Sequence, residues 1–451
     1  MTLRDAVRLA AVMMTVLSAV PAAGAAPLTL EEAVALARRT SPVVLESGAQ
    51  AEAARQARRE ARAARLPAVE VREMAIRTDS PADVFGLRLT EERFSFPAFV
   101  ASNPNRPEPL DHFATQVEAT LPLFTGGRLS SGIRRADRMS DAAASMRTHT
   151  ESAVTLAVAE AFAGALLSDE FVALAERALA TTEKHVDQAQ DFFDAGMIVE
   201  SDLLQALVQK AVMDENLIRA RNGAATARAG LNRAIGIPQD STIALDSNLP
   251  EPPPVPASLA EAMARGRERR HDVRAVASQT DAASAAAAAA RGERWPEIAL
   301  KGAYTIADDT FLGDHGRSYS LMAVARWDAW TWGRTSARVA RGRSEERAAS
   351  ERERAYRQQA DFEILQAWQS LDESRARHEV ALRGVASAER AATILEDRFQ
   401  QGVARVTDLL DAETSEHEAR VREAQARYDV QRSLRRLLFA TGADPVSVTA
   451  R

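Results

Sequence analysis

The chain is written twice, and this limits its fold more than any other feature of the sequence. The stretch LTLEEAVALARRTSPVVLESGAQAEAARQARREARAARLPAV, ending at Val69, lies over SLAEAMARGRERRHDVRAVASQTDAASAAAAAARGERWPEI, ending at Ile298, at a constant offset of 229. Leu30 falls on Leu259, Glu32 on Glu261, Val44 on Val273, Gln50 on Gln279, Arg65 on Arg294 and Pro67 on Pro296. Further along the offset is 206: LPLFTGGR lies over WDAWTWGR, and FFDAGMIVESDLLQA over RFQQGVARVTDLLDA. The difference of 23 residues sits between Val69 and about Val117 in the first half. A length change confined to one place marks a loop.

Each half reads as helix, two strands, helix, turn, helix. The opening helices stop before Pro67 and Pro296, and the period then becomes two. Phe113, Thr115, Val117, Ala119 and Leu121 alternate with Ala114, Gln116, Glu118 and Thr120, and EIALKGAYTI repeats the pattern. SYSLMAVARW is a third strand and VEVREMAI a fainter fourth. After Gly127 and Gly333 the period is helical for about 65 residues, roughly 100 Å of helix. Val154, Ala157, Val158, Ala161, Phe162, Ala165 and Leu166 form its apolar stripe.

The boundaries that follow are a first repeat over 26–249, a Pro-rich linker over 250–257 (PEPPPVP at its heart) and a second repeat over 258–451. Inside them the hairpins run over about 68–124 and 297–332, and the long helices over about 128–193 and 334–399. The turns lie over about 194–200 and 400–406, and the closing helices over about 201–236 and 407–441. Ahead of all this, residues 1–25 read as a secretory signal: Arg4 and Arg8, an apolar run from Leu9 to Val20, then Ala23-Gly24-Ala25 for cleavage.

The chain has 57 Lys and Arg against 63 Asp and Glu, a net charge of −6 with no basic block, which argues against a nucleic-acid surface. It has no cysteine, which removes thiol nucleophiles, Cys-ligated metals, disulfides and lipid attachment to an N-terminal Cys. The seven histidines are scattered, with no HExxH pair, phosphate loop or GxSxG elbow, so neither an enzyme nor a metal or cofactor site is expected. DDTFLGDH, residues 308–315, gathers Asp308, Asp309, Asp314 and His315 at a hairpin tip; a solvated loop is the plainer reading than a cation site.

Of 23 aromatic residues, thirteen lie within 67–125 and 294–333, about a fifth of the chain. Tyr304, Tyr319, Trp327 and Trp330 at strand ends suit the girdle of a membrane barrel, where a ring with a polar tip rests at headgroup depth. A water-soluble β-core is the alternative, and two hairpins held apart by some 170 helical residues fit it poorly.

LTLEEAVALA, the strand-to-helix LFTGGR with its partner WTWGR, and the doubled FxxGxxxxxDLLxA turns resemble the TolC-like outer-membrane efflux family, in family order over essentially the whole chain. The resemblance implies a mostly α fold with transmembrane β: a homotrimer whose protomers each give four strands to one twelve-stranded β-barrel continuous with a long periplasmic α-helical barrel. It implies an export channel in the outer membrane of a Gram-negative bacterium, in contact with outer-membrane lipid. A periplasmic adaptor, also called a membrane fusion protein, and an inner-membrane RND, ABC or MFS transporter are the implied partners. By the same resemblance, adaptor hairpins dock at Phe193, Ala195, Gly196, Met197, Phe399, Gly402 and Val403; a helix hairpin with buried phenylalanines is the other reading.

Asp408 and Asp411 match the acidic pair that narrows the family's periplasmic entrance, where three protomers would set rings of carboxylates. Against this, Thr407 could cap the second helix and acids in its first turn favour the helix dipole. Asp202 in the first half is open to the same reading. Some family members latch the entrance with a tyrosine and an arginine; here Phe399 takes the tyrosine position and Arg405 is displaced by one. Outside the family, a periplasmic coiled-coil adaptor or scaffold without a pore would also use long hairpins, though not aromatic-banded strands in both halves. An exported hydrolase lacks any nucleophile and base pairing.

Overall fold

The computed structural model describes residues 27–101 and 103–446, so the expected signal segment lies outside the described residues. The chain forms α1 (Leu30–Thr40), α2 (Pro42–Ala63), β1 (Ala68–Thr78), α3 (Pro81–Thr90), α4 (Phe96–Ala101) and β2 (Leu110–Phe124). Then come α5 (Arg128–Asp194), α6 (Glu200–Ile235), α7 (Leu259–Arg269), α8 (His271–Gly292), β3 (Glu297–Asp308), β4 (Gly316–Arg326), α9 (Arg334–Gln400) and α10 (Val406–Ala440). The two long helices have 67 residues each. Among the described residues no helix is long and apolar enough to cross a membrane.

The compact units do not follow the halves of the sequence. Among the described residues one unit holds 27–46, 148–270 and 360–446, the other 47–147 and 271–359, so each draws on both halves. In the second unit a single antiparallel sheet runs β1-β2-β3-β4, and the β2–β3 pairing joins the halves.

Positions matched by the sequence offset adopt matched local structure. Thr29 caps α1 in a box with Glu32, whose carboxylate accepts from Thr29 N at 3.0 Å. Ser258 caps α7 with its hydroxyl, which accepts from Glu261 N at 3.2 Å, but the Glu261 carboxylate accepts from Ala257 N at 2.8 Å instead of closing a box on Ser258 N. Gly126 and Gly292 show where the backbone needs a missing side chain: a Cβ on Gly126 would meet Gly292 O at 2.3 Å.

In the first unit the core gathers Leu30, Val34 and Ala37 of α1, Val154, Val158, Phe162 and Ala165 of α5, and Leu231 and Ile235 of α6. Burial largely follows the apolar stripe read from the sequence, with one correction: Ala157 is exposed, and Thr155 and Ala159 are buried instead. With 3.6 residues per turn a stripe this long drifts around the helix, so a fixed set of positions does not stay inside. The Pro-rich segment is pinned rather than free, since the buried Arg435 of α10 donates to Pro250 O at 2.9 Å.

Candidate functional site: a two-faced sheet and a paired helix turn

The register of the sheet sorts its side chains into two faces. Val69 and Val71, Val117, Ala119 and Leu121, Ile298, Leu300 and Tyr304, and Tyr319 and Leu321 share one face, because Val71 pairs with Val117, Val117 with Tyr304 and Tyr304 with Tyr319. Val69, Val71, Val117, Tyr304, Tyr319 and Leu321 are open in the protomer, Tyr319 at 85%, while Ala119, Leu121, Ile298 and Leu300 are half-buried. The other face carries Glu70 and Arg72, Gln116, Glu118 and Thr120, Lys301 and Thr305, and Ser318 and Ser320. Glu70 stands opposite Glu118 in the register, and the like charges are offset by Arg72 on Glu70 at 2.8 Å and Lys301 on Glu118 at 3.2 Å.

Aromatic residues sit at two levels along this sheet. Tyr304 and Tyr319 face each other toward the β3–β4 turn. Trp295 precedes β3 at the opposite end, and Trp327 and Trp330 follow β4, which ends at Arg326 and so is shorter than the hairpin read from the sequence. Trp327 Nε1 donates to Arg294 O at 3.2 Å, and Trp330 meets Trp332 edge-on at 5.7 Å. From Trp295 to Tyr304 the strand covers about 30 Å, or about 23 Å along the axis of a barrel with the usual strand tilt.

The extra residues of the first hairpin are not a loop. They fold into α3 and α4, around a triangle of Phe85, Phe94 and Phe99 with ring centroids 5.1 to 5.6 Å apart. These three rings pack on one another in a cap, with Phe85 still 39% exposed. Behind them Glu91, wholly buried, meets His112 Nδ1 of β2 at 2.7 Å. Arg93 pairs with Asp308 at 2.8 Å and also with Asp309, so two carboxylates of the acidic tip are already partnered. Among the described residues no group of three or more His, Asp or Glu is placed to hold a metal ion.

At the other end of α5 the two helix turns pack into one apolar core. Ala189, Leu203, Ala206, Phe399, Val406, Leu409 and Leu410 are buried together, with Phe192 and Ile198 against them. Phe399 is 2% exposed and lies 5.4 Å from Phe192 ring to ring. Phe193, its partner by sequence offset, is 36% exposed, and Ala195, Gly196, Met197, Gly402 and Val403 are all exposed. Phe399 thus packs inside the protomer, where only its neighbours in this core can touch it.

Asp408 and Asp411 lie on the exposed side of α10, three residues apart and so on one face. Among the described residues neither carboxylate has an ion pair or a side-chain hydrogen bond. The alternative of a cap by Thr407 is corrected by the structure. The N-cap is Arg405, with φ −79° and ψ 151°, it makes no side-chain cap bond, and Thr407 is already inside the helix. The glycine turn sets where the helix restarts, and it restarts at Val406, one residue before Thr407. Arg405 is exposed, and Asp202 is half-buried in the first turn of α6.

Sequence reading missed the glutamate partners of three histidines. His112 meets Glu91; His185 of α5 meets Glu413 of α10 through Nε2 and Gln188 through Nδ1 at 3.1 Å; His378 of α9 meets Glu423 of α10 at 3.2 Å. The partners are 21, 228 and 45 residues apart in sequence, and no local spacing announces them. Burial pulls the His185 pKa down, but the Glu413 carboxylate, helped by Gln188 and Glu396, outweighs it and holds the group above its ordinary value. His417, one turn beyond Glu413, is pushed down by burial.

Solved structures share this fold. The outer-membrane channel OprN superposes with a TM-score of 0.77 at 19% identity, over 92% of this chain and 90% of that one. VceC of Vibrio cholerae gives 0.77 at 17% identity over 92% and 97%, and the CmeC channel of Campylobacter jejuni 0.79 at 14% over 94% and 87%. A search of curated proteins finds no match. With the sequence profile of that family matching residues 33–237 and 264–443, on both sides of the Pro-rich segment, the chain belongs to the outer membrane efflux protein family.

Proposed function

We propose that this outer-membrane efflux channel is a passive exit duct in which three copies share one barrel, with Asp408 and Asp411 lining its periplasmic entrance. The observation that carries this is the sheet: four strands with an apolar band from Val69 to Tyr319 on one face, and on the other Glu70, Arg72, Glu118 and Lys301 among Met74, Met322 and Val324, with β1 and β4 as open edges. An unpaired edge is not tolerated in lipid, so the edges must be closed by other copies of the chain. Twelve strands from three copies give a barrel whose polar face, with Glu70, Arg72, Glu118 and Lys301, lines the water-filled lumen. The Tyr304/Tyr319 level and the Trp327/Trp330 level then sit at the two interfaces of the membrane.

A periplasmic adaptor docks at the exposed turn residues Phe193, Ala195, Gly196, Met197, Gly402 and Val403, and an inner-membrane RND, ABC or MFS transporter supplies the energy. The mature chain carries no lipid, having no cysteine to accept one. Asp408 and Asp411 stand unpaired and open, which is what a cation-attracting ring requires and what a structural ion pair does not.

The test is extraction from the outer-membrane fraction followed by oligomer mass and single-channel recording. A threefold particle that conducts supports the duct; a soluble periplasmic species overturns it in favour of a pore-less scaffold. Asp408→Ala with Asp411→Ala is expected to raise conductance and to weaken block by multivalent cations several-fold. Unchanged block removes these residues from the entrance.

A further inference from the structure

Helix α10 carries the proposed entrance residues on its open side and is held on its inner side by imidazoles. His185 reaches it from α5 and His378 from α9, each on a glutamate. The His185 contact lies nearest the turn, its partner Glu413 being two residues past Asp411. His185 itself is only 5% exposed, and both of its ring nitrogens face oxygens, Glu413 Oε1 and Gln188 Oε1. Two oxygens facing two ring nitrogens are best served by the imidazolium, which donates from both.

The groups that surround it favour the same state. Glu413 comes from α10 and Glu396 from α9, while α6 brings the uncharged Gln209, whose amide donates to Thr414 at 2.8 Å. Glu416, His417 and Arg420 of α10 and Lys184 and Arg177 of α5 line the groove alongside, of about 450 Å³. Arg420 is engaged by Glu389 and Glu416 at 3.0 and 2.7 Å, and so is not aimed at His185. The second oxygen of Glu413 is buried with no partner, so Glu413 depends on His185 for its stabilisation. The groove leaves open space beside α10 that a released helix would enter.

We propose that His185 and Glu413 form a proton-dependent tie that holds α10 against α5, and that the entrance of the duct loosens as rising pH breaks it. This rests on reading Asp408 and Asp411 as the entrance. A raised imidazole value gives the sign: the tie is whole below the ordinary histidine value of about 6.5 and is lost as pH climbs through the higher value of His185. Carboxylates ordinarily titrate well below that window, and His417 is displaced in the opposite direction, so the upward step belongs to His185.

The experiment is single-channel recording of the purified, reconstituted full-length protein from about pH 6 to about pH 9. Wild type is expected to show conductance rising about twofold across that window as the population shifts. His185→Gln and, as a second variant that keeps the shape of the carboxylate, Glu413→Gln are expected to conduct with no such rise. Asp408→Ala with Asp411→Ala is expected to keep the pH rise while losing multivalent-cation block, and His378→Gln to keep the rise. A rise that persists in both His185→Gln and Glu413→Gln, or that disappears only in His378→Gln, overturns the tie and leaves the entrance reading standing. A wild-type preparation that blocks at Asp408 and Asp411 but shows no pH rise also overturns the tie alone. Failure of wild type to conduct at any pH overturns the duct and the tie together.

Discussion

In the first helix turn Gly196 has φ 74°, its N–H donates to Phe193 O at 2.8 Å, and the next N–H, of Met197, donates to Phe192 O. In the second, Gly402 has φ 71° and Gly402 and Val403 repeat those bonds to Phe399 and Arg398. The helices that leave the two turns begin alike, after an extended Val199 and an extended Arg405 with no side-chain cap. Their open surfaces then differ. Along α6 the exposed side chains include Leu204, Leu207, Val208, Val212 and Ile218, while α10 exposes Asp408, Asp411, Ser415, Glu418 and Arg422. The contrast teaches that backbone and surface are specified separately. Glycine in the left-handed region and the buried leucines at Leu203 and Leu409 fix the turn in both halves. The outward positions are free to diverge, one toward apolar and the other toward polar side chains.

The comparison breaks most completely on α6. Val208→Asp combined with Ile218→Asp is expected to abolish the trimer, since burying two uncompensated carboxylates per protomer removes apolar contacts worth about 1.5–3 kcal/mol each and adds a desolvation cost. Oligomer mass in detergent checks this, and Ser415→Leu on α10 should leave the mass unchanged if that stripe meets water. The next effect separates the two phenylalanines that the offset aligns. Phe399→Ala is expected to cost about 3–5 kcal/mol and Phe193→Ala less than about 1 kcal/mol, because only the first leaves a cavity. Denaturant or thermal unfolding of the two variants measures the difference, and equal losses would show that Phe193 is also buried in the assembly. The smallest effect sharpens the likeness: Gly196→Ala and Gly402→Ala should each cost about 1–2 kcal/mol from strain in the left-handed region. Nothing lies within 4 Å of either added Cβ, so the two values should agree. A clear inequality would mean that one turn touches something the protomer does not contain.

Much of this was legible in the residues, and the reasons differ by element. Strands announce themselves through alternation, and Val117, Ala119 and Leu121 did so because one face of the sheet is apolar and the other is not. The helix bounds fell within a residue or two because glycines at fixed offsets stop both halves at the same place. The cap was read as a loop from its length alone, although Pro81 at the start of α3 and Asp83 in its first turn are the ordinary signs of a helix beginning. Its fixing contacts, Glu91 to His112 and Arg93 to Asp308, join residues 21 and 215 apart and have no local signature. The proposed entrance rests on a resemblance, and only its backbone is tested by the structure. Asp408 and Asp411 were singled out by the resemblance, and Thr407 was misread because a cap depends on where the turn ends, which is a matter of backbone and not of residue type. His185 stayed invisible because a histidine means little until its neighbour from another helix is known.

The unpaired edges of β1 and β4 have a consequence for how such a molecule comes into being. If three copies share one barrel, as proposed, a third of it has no stable existence in the bilayer, and insertion and association are one event rather than two. Production of the chain should therefore show a threshold, below which newly exported copies wait in the periplasm and are degraded. On that proposal no smaller pore is available to them as a resting place, and every channel that reaches the membrane is already whole.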